Sequence, residues 1–180
     1  MPKLIRLLNG AFVWEEDAFA NVLDEDAIPD GAVIVSLKRF MAESEQLLSG
    51  RAVGVRLESH EAVEDLAYDL PRIALTALVF PKYRDGRAYT SARLLRERYD
   101  FTGQIRAVGD VLLDRAQFLV RCGFDAFVPA DGSSPEAWLE AAHRYRHVYQ
   151  RSADDRQPVF VERDLIASGL GHNRPDEVGV

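Results

Sequence analysis

The chain has 180 residues, 47% hydrophobic and 28% charged, the makeup of one globular domain with its own core. A net charge of −7 and a pI near 5.1 argue against general nucleic-acid binding, and no apolar run reaches the roughly 18 residues of a membrane span. A single cysteine, Cys122, excludes an internal disulfide and a cysteine-only metal or iron–sulfur site. The N-terminal run is too short for a signal peptide and lacks a small-residue cleavage site, so the expected compartment is cytoplasmic.

Leu4 to Trp14 predicts a β-hairpin, because Asn9-Gly10 between two apolar runs supplies the left-handed residues of a type I′ turn. The stretch from Trp14 to Asp30 holds seven acids and no Lys or Arg, and Glu15 to Asp30 is read as a loop, with room for a short helical turn, ended by Pro29-Asp30-Gly31. Strand and helix patterns then alternate. Strands are expected at Ala32–Leu37, Ala52–Leu57, Ile73–Phe80, Gln104–Gly109 and Phe124–Val128. Helices are expected from Phe40 to Leu48, from a Ser59 cap through Val63, Leu66, Ala67 and Leu70, from Ala88 to about Asp100, through Leu112, Ala116 and Leu119, and from Ser133 through Trp138 and Tyr145 to Tyr149. Pro158–Val161 is read as an edge strand, and the residues beyond Ser168 as disordered.

This alternation predicts an α/β fold, a mostly parallel sheet of about five strand–helix units with an N-terminal β-hairpin. Two architectures satisfy it: a three-layer sheet with helices on both faces, which is favoured, and a partial barrel needing a partner or the hairpin to cover its open side. Residues 1–150 are expected to form one α/β domain and 151–180 a C-terminal extension.

Ligands in such sheets collect beyond the carboxyl ends of the strands. The run from Phe80 to Arg98 carries six bases and two acids there, inside an acidic chain. Arg84 and Arg87 present rigid donor forks suited to an oxyanion, and Gly86 between them leaves room for close backbone approach. The helix start near Tyr89, Thr90 and Ser91 adds unpaired N–H groups, while Asp85 either serves the ligand or pairs with a neighbouring arginine. Lys82 stands at the strand end, placed to form a Schiff base or to bind an anion. Asp110 is placed either as a general base or as a helix cap. Arg93, Arg96 and Arg98 scatter around the following helix and are read as a solvated face or a partner contact. His143 and His147 have the spacing of a metal pair, but the second half of a carboxylate motif is missing, so no metal is expected. No dinucleotide fingerprint, Walker loop or nucleophile elbow is present, so no cofactor is evident.

Two blocks, Phe80-Pro-Lys-Tyr-Arg-Asp-Gly-Arg-Ala-Tyr-Thr-Ser-Ala-Arg-Leu-Leu-Arg96 and Arg106-Ala-Val-Gly-Asp-Val-Leu-Leu-Asp114 continuing through Arg121 to Phe127, carry a resemblance. Together they closely resemble a bacterial family of unknown function, often labelled a probable oxidoreductase involved in sulfite reduction. Members of that family are typically encoded beside the sulfite reductase hemoprotein. The resemblance spans roughly residues 30 to 150. It implies an accessory role in assimilatory sulfite or sulfate reduction, in which the basic loop of Lys82, Arg84, Asp85, Gly86, Arg87, Tyr89 and Ser91 binds a sulfur oxyanion, or the reductase or its electron donor. Two other functions stay open: a cofactor-free lyase or isomerase for an anionic metabolite, with Asp110 as base, and a pure interaction module using Arg93, Arg96 and Arg98.

Overall fold

The computed structural model describes residues 3–168. Eight strands form one sheet: β1 (Lys3–Leu8), β2 (Ala11–Glu16), β3 (Ala20–Asn21), β4 (Val33–Ser36), β5 (Val53–Leu57), β6 (Leu75–Phe80), β7 (Gln104–Gly109) and β8 (Ala126–Phe127). Five α-helices accompany them among the described residues: α1 (Leu37–Leu48), α2 (Arg87–Arg93), α3 (Ala116–Arg121), α4 (Pro135–Ala142) and α5 (Val159–Ala167). β1 and β2 pair antiparallel around Asn9 (φ 50°) and Gly10 (φ 83°). β3 to β8 run parallel and β8 pairs antiparallel with β1, giving the order β2-β1-β8-β7-β6-β5-β4-β3.

That order decides the architecture. Parallel crossovers are right-handed nearly without exception, so strands laid down in chain order throw every connection to the same face. The side chains obey this. Val33, Val35, Val55, Leu78, Phe80, Ile105, Ala107 and Phe127 share one core with Phe40 of α1, Ala92 of α2, Leu119 of α3 and Trp138 of α4. The intervening positions Ile34, Leu75 and Ala77 belong to a separate small cluster on the other face. The sheet curls into a half-barrel with α1–α4 on the outside. The favoured three-layer arrangement is therefore corrected to the partial barrel: helices on both faces require a reversal of strand order, and β3 to β8 contain none.

The chain covers the concave face itself. Beyond β2, Asp17 is buried against Arg106 of β7, with two contacts of 2.7 and 3.0 Å, and the two side chains are only 6% and 2% exposed. Gln104 accepts from Arg106 Nε at 3.0 Å, and the Phe19 ring lies 5.9 Å from the guanidinium carbon. Phe19 also packs on the Ile34, Leu75 and Ala77 cluster. The first part of the acidic stretch read as a loop thus crosses the open side and forms β3 along the edge of β4.

Three further elements differ from expectation. The helix after Ser59 is replaced by 3₁₀ turns at Val63–Leu66 and Leu70–Arg72; Val63, Leu66 and Leu70 are still buried, but Pro71 disfavours α geometry at Leu70. The last predicted helix stops at Ala142, because side chains capture the carbonyls that would continue it: Gln117 and Arg156 donate to the Tyr145 carbonyl at 2.9 Å each, and Arg156 also donates to the Arg146 carbonyl. Tyr145 and Tyr149 are left exposed, while Val148 is buried. The expected edge strand at Pro158–Val161 is instead the start of α5, with only Pro158 bridging to Val148 and its carbonyl accepting from Glu162 N at 3.1 Å. The disorder expected beyond Ser168 concerns Gly169 to Val180, outside the described residues.

The Asp17–Arg106 pair makes a sharp prediction. Removing one partner strands a buried charge, so Asp17→Asn should lower stability by about 3–5 kcal/mol in urea unfolding. The double change Asp17→Leu with Arg106→Met removes both charges and should recover most of that loss.

Candidate functional site

The parallel strands deliver their carboxyl ends to one edge, and the loops there are laced to one another. After β6, residues 81–86 form a loop leading to α2. Asp110, just past β7, accepts from the Tyr83 backbone N–H at 2.7 Å, and the Tyr83 hydroxyl donates to Asp114 at 2.8 Å. The Arg115 guanidinium stacks 4.0 Å from the centre of the Tyr83 ring. Asp131, after β8, accepts from Leu113 N at 3.4 Å. Gly109 closes the turn that allows this. Its φ is +94°, and a Cβ there would stand 2.4 Å from the Phe80 carbonyl oxygen, so only glycine fits.

The second fastening joins the β5 and β6 loops. Asp85 accepts from Arg87 Nε at 3.0 Å and Nη2 at 2.6 Å, and Arg87 Nη2 donates onward to Ser59 at 2.8 Å. The guanidinium and the Ser59 hydroxyl hold the Asp85 carboxyl well below the usual carboxylate range, and Asp85 in turn raises Arg87. Asp85 also accepts from Arg87 N at 3.2 Å, at the first turn of α2. The anion that the helix start would attract is thus supplied by the chain itself.

The predicted residues therefore separate. Arg87 is engaged by Asp85 and Ser59. Gly86 caps α2, and an added Cβ would make only ordinary contact with Tyr89, 3.6 Å away. Tyr89 packs edge-on against Phe80 and Phe118 at 5.0 Å each, and burial pushes its hydroxyl up. Ser91 turns back to its own helix, on the Arg87 carbonyl. Lys82 and Arg84, on either side of the anchored Tyr83, are exposed, and their side chains have no hydrogen-bond or ion-pair partner among the described residues.

The three arginines further along do not form one surface. Arg93 pairs with Glu97 at 2.9 and 3.0 Å, and Arg98 lies over Tyr99 and 3.9 Å from Glu64. Arg96 turns inward. It donates to the carbonyls of Gly123 (3.0 Å), Gly103 (2.8 Å) and Phe101, and reaches Asp125 at 3.2 Å. It fastens the wide turn at Leu94–Arg98 to the amino end of β8. His143 contacts the Leu139 carbonyl and His147 contacts Glu162, each at 2.9 Å. No group of three metal-ligating side chains is assembled among the described residues.

The family model for bacterial proteins of unknown function (DUF934) matches residues 54–160. The chain belongs to this family. None of the curated proteins matches the chain. The part shared with the family holds the laced loops from Ser59 to Asp131, while β1 to β4, α1 and the Asp17 arm precede it. Among the described residues no helix is long and apolar enough to cross a membrane.

Sequence reasoning passed over a cavity of about 310 Å³ in the concave mouth, lined on the sheet by Arg56, Ala77, Val79, Arg106, Val108 and Val128. The signal was an arginine in the middle of each of two parallel strands, Arg56 in β5 and Arg106 in β7, where a doubly covered sheet would be apolar. A wider groove of about 490 Å³ lies between the hairpin and residues 142–156, and its Arg121 and Arg156 are spent on Asp154 and on backbone carbonyls.

If Arg87 is the main cause that depresses Asp85, its carboxyl should titrate below the aspartate range in the wild type and move up toward that range in Arg87→Leu, read by carboxyl-carbon NMR. Because the folded pKa is lowered, the contact is complete above about pH 3.9 and is lost only as the pH falls through the depressed value. Asp85 titrating normally in the wild type would show the pair is open in solution.

Proposed function

We propose that this family member is an accessory protein of sulfite reduction that docks on an acidic surface of the reductase or its electron donor through Lys82, Tyr83 and Arg84. The observation that carries the reading is the pair of unpartnered cations on a fixed loop. Tyr83 is held by Asp110, Asp114 and Arg115, so Lys82 and Arg84 are presented from an anchored backbone. Ordering a loop usually costs free energy on binding, and here that cost is already met within the monomer. An exposed aromatic between two cations also suits a protein surface, where aromatic and arginine side chains dominate the energetics.

Neighbouring charges favour this loop over the alternatives. Arg87 is occupied by Asp85, which weakens the reading of an Arg84/Arg87 clamp around a free oxyanion. Asp110 is engaged by the Tyr83 N–H and serves as a loop fastener in this reading rather than as a base. Arg93 and Arg96 have internal partners. The link to sulfite reduction itself rests on the resemblance of the Phe80–Arg96 and Arg106–Phe127 blocks.

Charge reversal tests the docking. Lys82→Glu with Arg84→Glu should weaken association with sulfite reductase or its electron donor at least tenfold in calorimetry, and the wild-type affinity should fall as salt rises. Both side chains are exposed, so the melting temperature should hold. No association of the wild type with either protein would overturn the proposal, as would equal binding by the double variant.

A further inference from the structure

We infer that the concave mouth of the half-barrel is a binding site for a small aliphatic carboxylate, separate from the Lys82/Arg84 loop. The cavity lies on the face that α1–α4 do not cover, near the carboxyl ends of β6 and β7, where Val79, Val108 and Gly109 line it. Its volume, about 310 Å³, is at the low end of the range for small-molecule sites, about 300–1,000 Å³. A sheet face left to water normally alternates to polar residues, yet β6 offers Ala77 and Val79 here and β7 offers Val108. Phe19 and Val108 both pack against the Ile34, Leu75 and Ala77 cluster, while the cavity opens over the Val79 end.

The polar groups around this apolar floor are mostly cationic. Arg106 is spent on Asp17 and Gln104 and is only 2% exposed, so it forms a fixed, buried wall of the recess. Arg56 lines the same cavity with an exposed side chain, tied on one side to Glu58 at 2.7 Å. Lys3 stands at the rim with no partner among the described residues. Asp17 is the acid in the lining, and Arg106 already neutralises it. With Arg106 offset by Asp17 and Arg56 held on one side by Glu58, Lys3 and the free edge of Arg56 leave the recess a small positive surplus in a chain of net charge −7, which favours an anion. The apolar floor then selects the anion. A carboxylate can meet the exposed Arg56 guanidinium while its alkyl chain covers Val79 and Val108. Sulfite or phosphate gains only the charge and leaves the valines against water.

The test is calorimetric titration of the full chain with acetate, butyrate, hexanoate and sulfite. Hexanoate should bind with one-to-one stoichiometry, with affinity rising roughly fourfold per added methylene. Arg56→Gln, at an exposed position, should weaken hexanoate binding about tenfold or more, as expected for a lost charge-assisted contact. Val108→Glu, which places a like charge on the floor, should abolish it, and Lys82→Glu with Arg84→Glu should leave it unchanged. Hexanoate methyl contacts to Val79 and Val108 in isotope-filtered NMR give a readout independent of both variants. The proposal is overturned by no saturable binding at about 10 mM hexanoate, by equal affinity for acetate or sulfite, or by hexanoate binding that Arg56→Gln leaves intact.

Discussion

A parallel sheet with its crossover helices on one side must find a cover for the other, and in this chain the cover is held by one buried ion pair. The Asp17–Arg106 contact joins an arm from the N-terminal hairpin to the middle of the sheet, across 89 positions of sequence. Such a pair adds little net stability over an apolar pair of the same shape, because desolvating both charges offsets most of their attraction. What it adds is position. An apolar arm could slide along the apolar positions of β6 and β7, whereas a carboxylate pairs with the guanidinium in one place. With Asp17 held there, Phe19 lies on the Leu75 and Ala77 cluster, and Ala20–Asn21 fall into register with Val33–Ile34.

The same economy governs the carboxyl edge. Asp85, Asp110, Asp114 and Asp131 each accept from a neighbouring loop or from the start of the next helix. Acids that might have served chemistry are used to hold backbone. The result is a set of loops fastened to one another, while Lys82 and Arg84 at the edge and Lys3 at the mouth keep side chains with no partner among the described residues. An acidic protein thereby keeps its positive charge where a partner or ligand can reach it, and long-range repulsion of anions by the rest of the surface is screened within about 10 Å at 0.1 M salt.

Much of this was legible in the residues, and the failures have definite causes. Val33–Ser36 and Leu75–Phe80 are short apolar runs bounded by breakers, so their strands could be read directly. Strand order could not be, because periodicity reports which face a side chain takes and not which strand lies beside it. The helix after Ser59 failed because Val63 and Leu66, three apart, suit a 3₁₀ turn as well as an α-helix. The basic loop was recognisable as a polar cluster at a strand end. Which arginine is free was not, since Asp85 stands one residue from Arg84 and two from Arg87, and only side-chain geometry sends it to Arg87. Arg56 and Arg106 were visible as charges inside strands, but their meaning needed the open face.

The extent of the family match sharpens the role of the arm. The match begins at Gly54, in the middle of the sheet, and includes Arg106 but not Asp17. Cut there, the segment would lose β1, β2, β3 and β4, expose both flanks of the remaining strands, and leave a buried guanidinium without its carboxylate. Each of those costs several kcal/mol, comparable to the whole stability of a domain. In this chain the folding unit must therefore reach back to the hairpin. The recess between arm and sheet is then a product of both parts: Arg56, Val79, Arg106 and Val108 come from the family segment, and Lys3, Leu4, Asp17 and Asn21 from the residues before it. A site built from two such parts can keep its cationic sheet side while its outer wall changes with the N-terminal residues that close it.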